Sequence, residues 1–414
     1  DGSGRIQIFL KKDLIDENLY FLFVENIELG DFVQVKGKMF LTRAGEETLE
    51  VHDWKILSKA ILPLPEKWKG LKDVEERYRH RALDLLMNSD VRDKFIFRNK
   101  MISRLRKFLE ENRFQEVETP ILQTIPSGAA AKPFKTYLNA LNMELYLRIA
   151  PELYLKRLLV GGFERIFEIG KCFRNEGIDY AHNPEFTMME LYIAYWDWKK
   201  LMEFTEKIFE HLVPKLELEY DGKKIDLTPP WPRITLRDLI LTKIGIDIDK
   251  ATDNELKERI KKEKIIIDQA TISRTKMIDE LYKKVCRPKL IQPTFITTYP
   301  LEMSPLAKQL EGDSKNVARF QLVLAGFELV NGYSELNDPL EQERRFKEQS
   351  QQLAKGDEEV IREDDGFVED ISYGMPPAAG LGIGIDRLAA ILTDSHSIRE
   401  IMLFPLMRPK KEEE

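Results

Sequence analysis

One loop of the sequence collects several groups that could bind a nucleotide. The stretch FRNEGIDYAHNPEFTMMELY, at residues 173–192, contains Arg174, Glu176 and Phe186. A guanidinium offers a planar fork of donors to a phosphate or a carboxylate. An aromatic ring is a stacking surface for a base, and a carboxylate can accept a hydrogen bond from an exocyclic amine. A hairpin with a salt-bridged turn and one half-buried aromatic ring is the equally weighted alternative.

The alternation of residues after this loop predicts a strand with two different faces. In a strand over residues 184–194, Phe186, Glu190 and Tyr192 share one face. The opposite face carries residues such as Met189 and is largely apolar. We therefore expect one face to line a site and the other to pack into a core.

A second polar group alternates along GFELVNGYSELNDP, at residues 326–339. Asn331, Tyr333 and Glu335 fall on one strand face, and Glu328 stands upstream. An uncompensated buried carboxylate is costly, so acidic residues on an inward face predict a cation or a metal ion as their partner. A solvated strand face is the alternative.

A third group is the glycine pattern GLGIGIDRLAAIL, at residues 380–392. Gly380, Gly382 and Gly384 leave one strand face without side chains, on which a flat ligand could lie. Arg387 follows at the start of a predicted helix, where the amide groups also favour an anion. Close backbone packing explains the glycines equally well. Together, the three groups fit a nucleotide triphosphate with magnesium and a second, cationic ligand.

The composition predicts a folded, soluble chain of more than one domain. The 414 residues are 43% hydrophobic and 33% charged, with a net charge of −7, which argues against a general nucleic-acid coat. The sequence contains no membrane span or secretory signal pattern, so we expect a cytoplasmic protein without a membrane partner. Cys172 and Cys286 form no metal-binding pair, and the five histidines lack ligand spacing. Any metal should therefore be a hard, oxygen-bound ion.

Short strand-like runs predict an N-terminal β-domain. The runs RIQIFL, LYFLFV, DFVQVKGKMF and TLEVHDWKIL lie within residues 4–57 and are separated by polar or glycine turns. They are typical of a small β-barrel or part of one. Pro63, Pro65 and Gly70 then indicate a linker, with the domain boundary near 60–75.

The remaining sequence alternates helix-like and strand-like segments. Apolar residues at helical spacing predict a long amphipathic helix over 90–112. The following FQEVETPIL fits an edge strand, because it runs into Pro120. The lysine-rich interval 233–287 is interpreted as a peripheral helical insertion with few candidate catalytic groups.

Three ordered motifs make the chain resemble the class II aminoacyl-tRNA synthetases. FQEVETP resembles motif 1, FRNEG with HNPEFTMMELY resembles motif 2, and GLGIGIDRL resembles motif 3. IAPELYLKRL and NGYSELNDP resemble the branch that activates lysine. The resemblance runs from about residue 1 to 408. It implies an α+β fold, in which helices flank an antiparallel sheet of the class II type.

The resemblance implies a two-step reaction. ATP and L-lysine would form lysyl-adenylate with release of pyrophosphate, and lysine would then pass to the 3′ end of tRNA(Lys). Both steps depend on positioning and charge neutralisation more than on acid or base catalysis by the protein. The resemblance also implies Mg²⁺ as the cofactor and a homodimer, since the motif 1 helix and strand form the subunit interface in this family.

For ATP, the resemblance implies residues from motifs 2 and 3. Arg174 would hold the α-phosphate and the reacting carboxylate, and Arg387 would cover the other side of ATP, so these two are the expected catalytic residues. Phe186 would stack on adenine and Glu176 would bind its amine. The expected ATP-binding residues are Arg174, Glu176, His182, Asn183, Phe186, Gly384 and Arg387.

For lysine, the resemblance implies contacts at both ends of the amino acid. Glu152, helped by the backbone around Gly128, would meet the α-ammonium, and Asn331 would hold the carboxylate. Glu335 would pair with the side-chain ammonium, and two tyrosines would enclose the methylene stem. The expected lysine-binding residues are Gly128, Glu152, Tyr192, Asn331, Tyr333 and Glu335. A relative specific for aspartate would need a basic group near Glu335.

Magnesium would be held by Glu328. Gln321 stands where the family often has a second acidic residue, and a neutral amide oxygen is a poorer magnesium ligand than a carboxylate. The number or affinity of bound magnesium ions should depend on this difference.

The resemblance divides the chain into three parts. Residues 1–62 would be a partial OB-fold, the anticodon-binding domain, 63–89 a linker, and 90–414 the catalytic domain. The opening DGSGRIQIF resembles the middle of the barrel, so we expect its early strands to be absent. Gln7 and Phe9 are candidate anticodon contacts, and an ordinary solvent-facing role for both is equally weighted.

Two other functions share the same scaffold. One is a paralogue that attaches lysine to a protein, but such enzymes lack the barrel domain that residues 4–57 indicate. The other is an inert nucleic-acid-binding or regulatory protein, against which Arg174, Glu328 and Arg387 argue. Lysine-dependent exchange of pyrophosphate into ATP would decide between activity and inertness.

Overall fold

The protein divides into two compact units. The computed structural model describes residues 4–64, 71, 73–267, 273–354 and 361–409. The units are Asp1–Asn88 and Ser89–Glu414, so the division falls at the end of the predicted linker. Pro65 and Gly70 of that linker lie outside the described residues. None of the helices in the described ranges is long and apolar enough to cross a membrane.

Within its described residues, the first unit contains a small sheet and three α-helices. Its strands are β1 (Gln7–Phe9), β2 (Phe32–Leu41) and β3 (Glu47–Ser58), and its helices are α1 (Glu17–Asn26), α2 (Val74–Arg79) and α3 (Arg81–Met87). The strand order is β1-β3-β2, with β1 parallel and β2 antiparallel to β3. Within the described residues this sheet does not close into a barrel, so the partial OB-fold stays a prediction.

The prediction of a strand for the run LYFLFV is wrong, because these residues lie in α1. The side chain of Asp16 caps this helix by accepting hydrogen bonds from the amides of Asn18 (2.9 Å) and Leu19 (3.2 Å). The ring of Phe23 packs edge-on against Trp54 of β3, with centroids 5.1 Å apart. Periodicity cannot separate a helix from a strand over so short an apolar run, and here the N-cap decides.

The second unit is a large α+β domain. Its helices are α4 (Ser89–Glu111), α5 (Glu152–Val160), α6 (Trp198–Leu212), α7 (Leu236–Ile244), α8 (Asp253–Lys262), α9 (Arg274–Leu281), α10 (Pro339–Ala354), α11 (Asp365–Ser372) and α12 (Ile385–Leu392). Its strands are β4 (Gln115–Glu116), β5 (Leu122–Gln123), β6 (Lys135–Leu138), β7 (Met143–Leu147), β8 (Arg165–Phe173), β9 (Glu185–Ala194), β10 (Glu217–Tyr220), β11 (Lys223–Asp226), β12 (Arg233–Thr235), β13 (Thr294–Pro300), β14 (Gln309–Leu310), β15 (Asp313–Leu324), β16 (Phe327–Ser334) and β17 (Ala378–Gly384). The long helix predicted over 90–112 is α4.

The main sheet brings the three polar motifs together. Its strand order is β12-β13-β15-β16-β17-β9-β8-β4, with β14 paired to β15. The pairs are antiparallel except at the two ends, where β12–β13 and β4–β8 are parallel. In the centre, Asn331 lies opposite Gly382, which lies opposite Glu190. Segments that are far apart in the chain therefore share one sheet surface.

The other surface of the sheet packs into the core. Met189 and Leu191 of β9 are fully buried, in one cluster with Leu105 of α4 and residues of α6. The predicted division of β9 into a polar and an apolar face is therefore correct. The interval 233–287 has its own apolar cluster, which joins residues of α7 and α9 to Ile296 of β13.

A β-bulge turns Glu328 toward the polar face. The pairing of β15 with β16 shifts between Leu322–Val330 and Val323–Glu328. One residue of β16, Leu329, is left without a partner in this ladder. Strict alternation would place Glu328 and Asn331 on opposite faces, but a bulge reverses the alternation beyond it. Both side chains consequently line the same cavity.

Candidate active site

A cavity of about 1020 Å³ lies over the polar face of the main sheet. The predicted site residues that line it are Gly128, Glu152, Arg174, Glu176, His182, Asn183, Phe186, Tyr192, Gln321, Glu328, Asn331, Tyr333, Gly384 and Arg387. Glu335 is the exception among the predicted residues of this unit. It is only 1% exposed and lies just beneath the lining, below Gly380. The structure thus gathers residues from three distant motifs in one place.

Two arginines mark one end of the cavity. The guanidinium carbon of Arg174 lies 5.0 Å from the ring centroid of Phe186, and Nε of Arg174 is buried without a hydrogen-bond partner among the described residues. Arg387 donates to the backbone oxygens of Ala181 (3.3 Å) and Glu328 (3.2 Å). Burial lowers the pKa of Arg387, although Glu328 works in the other direction. Partly buried guanidinium groups with free donors favour an anionic ligand.

The loop between β8 and β9 supplies smaller polar groups. Glu176 is exposed at the cavity edge. The ring of His182 contacts the carboxylate of Asp179, with Nδ1 at 2.9 Å. Asn183 is buried and donates from Nδ2 to the backbone oxygen of Glu185 at 2.7 Å, while its Oδ1 has no partner among the described residues. An unpartnered buried oxygen indicates a site for a donor or a bound ligand.

Glu328 is a carboxylate surrounded by positive charge. Its Oε2 lies 3.5 Å from the guanidinium of Arg287. Burial acts to raise the pKa of Glu328, but the charges of Arg287, then Arg387, Arg319 and Lys283, outweigh it and lower the pKa. The carboxylate is therefore ionised, as a metal ligand must be.

The amide oxygen of Gln321 is held by two tyrosine hydroxyls. Its Oε1 accepts hydrogen bonds from the hydroxyls of Tyr282 (2.8 Å) and Tyr299 (2.9 Å). All three side chains are buried. A carbonyl oxygen has two lone pairs, and both are used here. An amide oxygen is a weaker magnesium ligand than a carboxylate. In Gln321 this oxygen also already accepts two hydrogen bonds, so no lone pair is left for a metal ion.

The donor set is compatible with magnesium that arrives with a nucleotide. Magnesium commonly binds through one or two carboxylates together with substrate phosphates, and Glu328 is such a carboxylate. Within the described residues there is no cluster of three or more His, Cys, Asp or Glu side chains that could hold a metal by themselves. Glu328 is the cavity carboxylate that could bind such an ion.

The other end of the cavity is acidic, and an unexpected lysine lies buried behind it. Lys156 of α5 is fully buried and donates to Oε1 of Glu152 at 2.7 Å. Its Nζ also lies 2.5 Å from Oε2 of Glu335, although neither oxygen of Glu335 has a hydrogen bond of good geometry within the described residues. Burial acts to lower the pKa of Lys156, but the two carboxylates outweigh it and raise the pKa.

Further carboxylate and phenol groups adjoin this pair. The hydroxyl of Tyr192 donates to Oε2 of Glu190 at 3.0 Å, and the hydroxyl of Tyr333 donates to Glu152. Burial, and then the charge of Glu152, raise the pKa of Glu190 to about 8. Burial also raises the pKa of Glu335, with Lys156 opposing it. More carboxylates are gathered here than one ammonium can neutralise.

Arg319 fixes the orientation of Asn331. Nε of Arg319 donates to Oδ1 of Asn331 at 2.8 Å, and its Nη1 donates to the backbone oxygen of Met303 (3.0 Å) and to the hydroxyl of Ser304 (2.8 Å). Because the amide oxygen of Asn331 is taken, its NH₂ group is the end left to donate to a ligand. A carboxylate is a suitable acceptor.

Gly128 adopts a backbone conformation that brings the chain close to Glu152. Its φ angle is +92°, and an added Cβ would lie 3.2 Å from Cβ of Glu152. Glycine accepts this conformation without a steric penalty. The backbone at Gly128 consequently lines the cavity beside Glu152.

Several residues in or directly behind the cavity wall were missed by sequence reasoning. Lys156 stands four positions after Glu152 in IAPELYLKRL, and this helical spacing was a usable signal. Arg287 and Lys283 come from the interval that was interpreted as peripheral, and both line the cavity. They follow α9, in a π-helical turn at Tyr282–Cys286 and a 3₁₀ turn at Arg287–Lys289. No local sequence pattern predicts where such turns point.

The two candidate anticodon residues lie in the first unit. Oε1 of Gln7 accepts a hydrogen bond from the hydroxyl of Thr48 at 2.8 Å. The ring of Phe9 packs edge-on against Phe40, with centroids 6.0 Å apart, and remains 42% exposed. Their role in binding RNA stays a prediction.

Comparisons with known proteins agree with this geometry. A family described as tRNA synthetases class II (D, K and N) matches residues 73–408. The chain is 50% identical over 416 residues to a lysine–tRNA ligase of Aquifex aeolicus, covering 99% of this chain and 70% of that protein. It is 48% identical over 423 residues to a lysine–tRNA ligase of Pelotomaculum thermopropionicum (99% and 82% covered). It is 47% identical over 418 residues to a lysine–tRNA ligase of Campylobacter jejuni (100% and 83% covered). The chain therefore belongs to the class II tRNA synthetases of the D, K and N group.

Proposed function

We propose that this protein activates L-lysine with ATP to form lysyl-adenylate and transfers the lysyl group to the 3′ end of tRNA(Lys). The single observation that carries the choice of lysine is the charge of the acidic end of the cavity. Glu152 and Glu335 contact the same cation, Lys156, and Glu190 adjoins them as a third carboxylate, on which the charge of Arg174 acts. Lysine brings two ammonium groups, which would compensate the excess. An aspartate side chain would instead place a further carboxylate beside Glu335.

The amino acid fits between the two ends of the cavity. Glu152 binds the α-ammonium beside the backbone of Gly128, and Glu335 attracts the side-chain ammonium. Tyr192 and Tyr333 enclose the methylene stem. The freed NH₂ group of Asn331 binds the carboxylate. This orientation directs the carboxylate toward the arginine-rich end.

ATP occupies the arginine-rich end. Phe186 stacks on adenine, and Glu176 accepts from its exocyclic amine, while Asn183 and His182 lie near the phosphates. Arg174 and Arg387 hold the α-phosphate between them. Gly384, at the end of β17, leaves room for the nucleotide.

The chemistry consists of two substitutions. A lysine carboxylate oxygen attacks the α-phosphorus, and the bond to the β-phosphate oxygen breaks, releasing pyrophosphate. The 3′-terminal hydroxyl of tRNA then attacks the lysyl carbonyl carbon, and AMP leaves. Arg174 and Arg387 stabilise the negative charge that develops on the phosphoryl oxygens. A magnesium ion bound through Glu328 would supply further neutralisation of the phosphates.

Three finer features belong to the same proposal. We expect a homodimer in which α4 and β4 form an isologous interface, the commonest arrangement in oligomers. Sedimentation at micromolar concentration that shows only a 48.4 kDa species would contradict it. We also expect the first unit to act as a partial OB-fold in anticodon binding, and the protein to work in the cytoplasm.

Exchange of labelled pyrophosphate into ATP tests the proposal directly. The amino acids to compare are lysine, aspartate and asparagine, which the letters K, D and N of the family denote. Lysine alone should support rapid exchange. Exchange that depends on aspartate or asparagine, or on none of the three, would contradict the assignment.

A further inference from the structure

The arginine-rich end of the cavity holds a cation, Arg287, that has no role in the proposed ATP contacts. Arg287 lines the cavity, and its side chain is 21% exposed. Its ionic partner among the described residues is Glu328, at 3.5 Å. That distance is long for a charge-assisted hydrogen bond. Nε of Arg287 is buried and has no hydrogen-bond partner within the described part of the chain. The guanidinium is thus held near the cavity without being saturated.

The turn that carries Arg287 is unusual. The π-helical turn Tyr282–Cys286 continues α9, and Arg287 begins the 3₁₀ turn that follows. π-Helical turns are rare and are often found at functional sites. The hydroxyl of Tyr282 binds Gln321, which anchors the turn to β15. Lys283 of the same turn also lines the cavity, and its Nζ is held by Asp279 at 2.6 Å.

The charge around Arg287 is in excess of what Glu328 can neutralise. Arg287 and Arg387 both act on this carboxylate, together with Lys283. Arg387 is committed to two backbone oxygens. Gln321 adds no charge and its oxygen is satisfied. The cations acting here are Arg287, Arg387, Arg319 and Lys283, against the carboxylates of Glu328 and Asp279. A group with this excess of positive charge, open to a large cavity, matches a polyanion rather than a buried ion pair.

We infer that Arg287 binds the terminal phosphates of ATP and the pyrophosphate that leaves them, an assignment that rests on the proposed function. As the bond between the α-phosphorus and the bridging oxygen breaks, the electron pair moves onto pyrophosphate. A guanidinium fork neutralises that charge by two parallel hydrogen bonds. Glu328 keeps the guanidinium at the cavity wall in the meantime.

Binding of pyrophosphate without metal tests this inference separately from catalysis. The variants are Arg287→Ala and Arg287→Lys, with Lys289→Ala as the matched control. Lys289 lies in the same 3₁₀ turn but is exposed and does not line the cavity. Isothermal titration of full-length protein with pyrophosphate in EDTA gives the affinity, and exchange kinetics give the KM values for pyrophosphate and lysine.

Arg287→Ala should weaken pyrophosphate binding about tenfold to hundredfold, the range for losing a charge-assisted contact. Arg287→Lys should recover part of the loss, because it keeps the charge but not the fork. Lys289→Ala should bind as the parent does. The KM for lysine should stay unchanged in all three variants.

Other results would overturn the inference. Unchanged pyrophosphate affinity in Arg287→Ala excludes phosphate binding by this residue. An equal loss for lysine and pyrophosphate, together with a lowered melting temperature, assigns Arg287 a structural role. If the parent binds pyrophosphate through Arg287 but shows no lysine-dependent exchange, the phosphate site stands and the proposed function fails.

Discussion

Nζ of Lys156 lies 2.5 Å from Oε2 of Glu335, and neither side chain is exposed to solvent. The carboxylate that was expected to bind the substrate ammonium therefore already touches a cation of the protein. The same Nζ binds Glu152, which was expected to meet the α-ammonium. Lys156 thus connects the two proposed ends of the lysine site and sets their charge.

Glu335→Gln should remove most lysine activation and leave ATP binding nearly unchanged. Losing one member of a buried charge pair costs about 3–5 kcal/mol, so the KM for lysine should rise by orders of magnitude. Lysine titration of pyrophosphate exchange and equilibrium binding of ATP measure the two effects. Glu343→Gln, which changes an exposed carboxylate on α10, is the control. A lysine KM equal to that of the parent would remove Glu335 as the side-chain partner.

Lysine affinity should increase as the pH rises toward about 8. The pKa of Glu190 is raised to about 8 from 4.5, primarily by burial. The folded protein therefore binds more protons than the unfolded chain between these values, so this group's contribution to stability falls as pH rises through the window. A bound ammonium favours the ionised carboxylate, so lysine binding should release protons.

Titration calorimetry at pH 7 in two buffers of different ionisation enthalpy measures that proton release. The released fraction should decline above pH 8, where Glu190 is already ionised. Glu190→Gln should reduce the release. Identical heats in both buffers for the parent protein would show that no carboxylate loses a proton on lysine binding.

Gly380→Ala should close the lysine end of the cavity. An added Cβ would lie 2.4 Å from the ring of Tyr192 and 2.5 Å from Oε1 of Glu335, distances that force one of them to move. Gly382→Ala is a matched control on the same strand face, since its nearest contact would be 3.6 Å. We expect a raised lysine KM only in Gly380→Ala, with both variants checked by thermal unfolding. Equal kinetics in the two variants would place the ligand away from Gly380.

Gln321→Glu should not lower the magnesium requirement of exchange. The side chain points to the hydroxyls of Tyr282 and Tyr299, which would equally bind a carboxylate oxygen. Glu328→Gln should abolish most exchange, because Glu328 is the proposed carboxylate ligand. Magnesium titration of the parent and both variants measures this difference. A lower magnesium midpoint in Gln321→Glu would show that the tyrosine contacts release this side chain.

Much of the fold and site was predictable because it depends on local patterns. The alternation in β9 correctly separated Met189 from Glu190, and helical spacing correctly identified α4. The glycines of β17 were correctly expected to form one strand face beside the cavity. The sequence LYFLFV was misassigned, because its composition fits a strand while the cap at Asp16 favours a helix.

The sequence by itself determined which side chains could bind a nucleotide and an ammonium group, since these depend on residue type and on short-range alternation. Only the tertiary structure decided how those groups are paired. A bulge in β16 turns the side chain of Glu328 into the cavity. Two tyrosine hydroxyls donate to the amide oxygen of Gln321. Lys156 of α5 contacts Glu335, which directly follows β16. The physical reason is that burial and long-range contact set the charge and the free hydrogen-bonding capacity of a group, and neither quantity is a property of its neighbours in sequence.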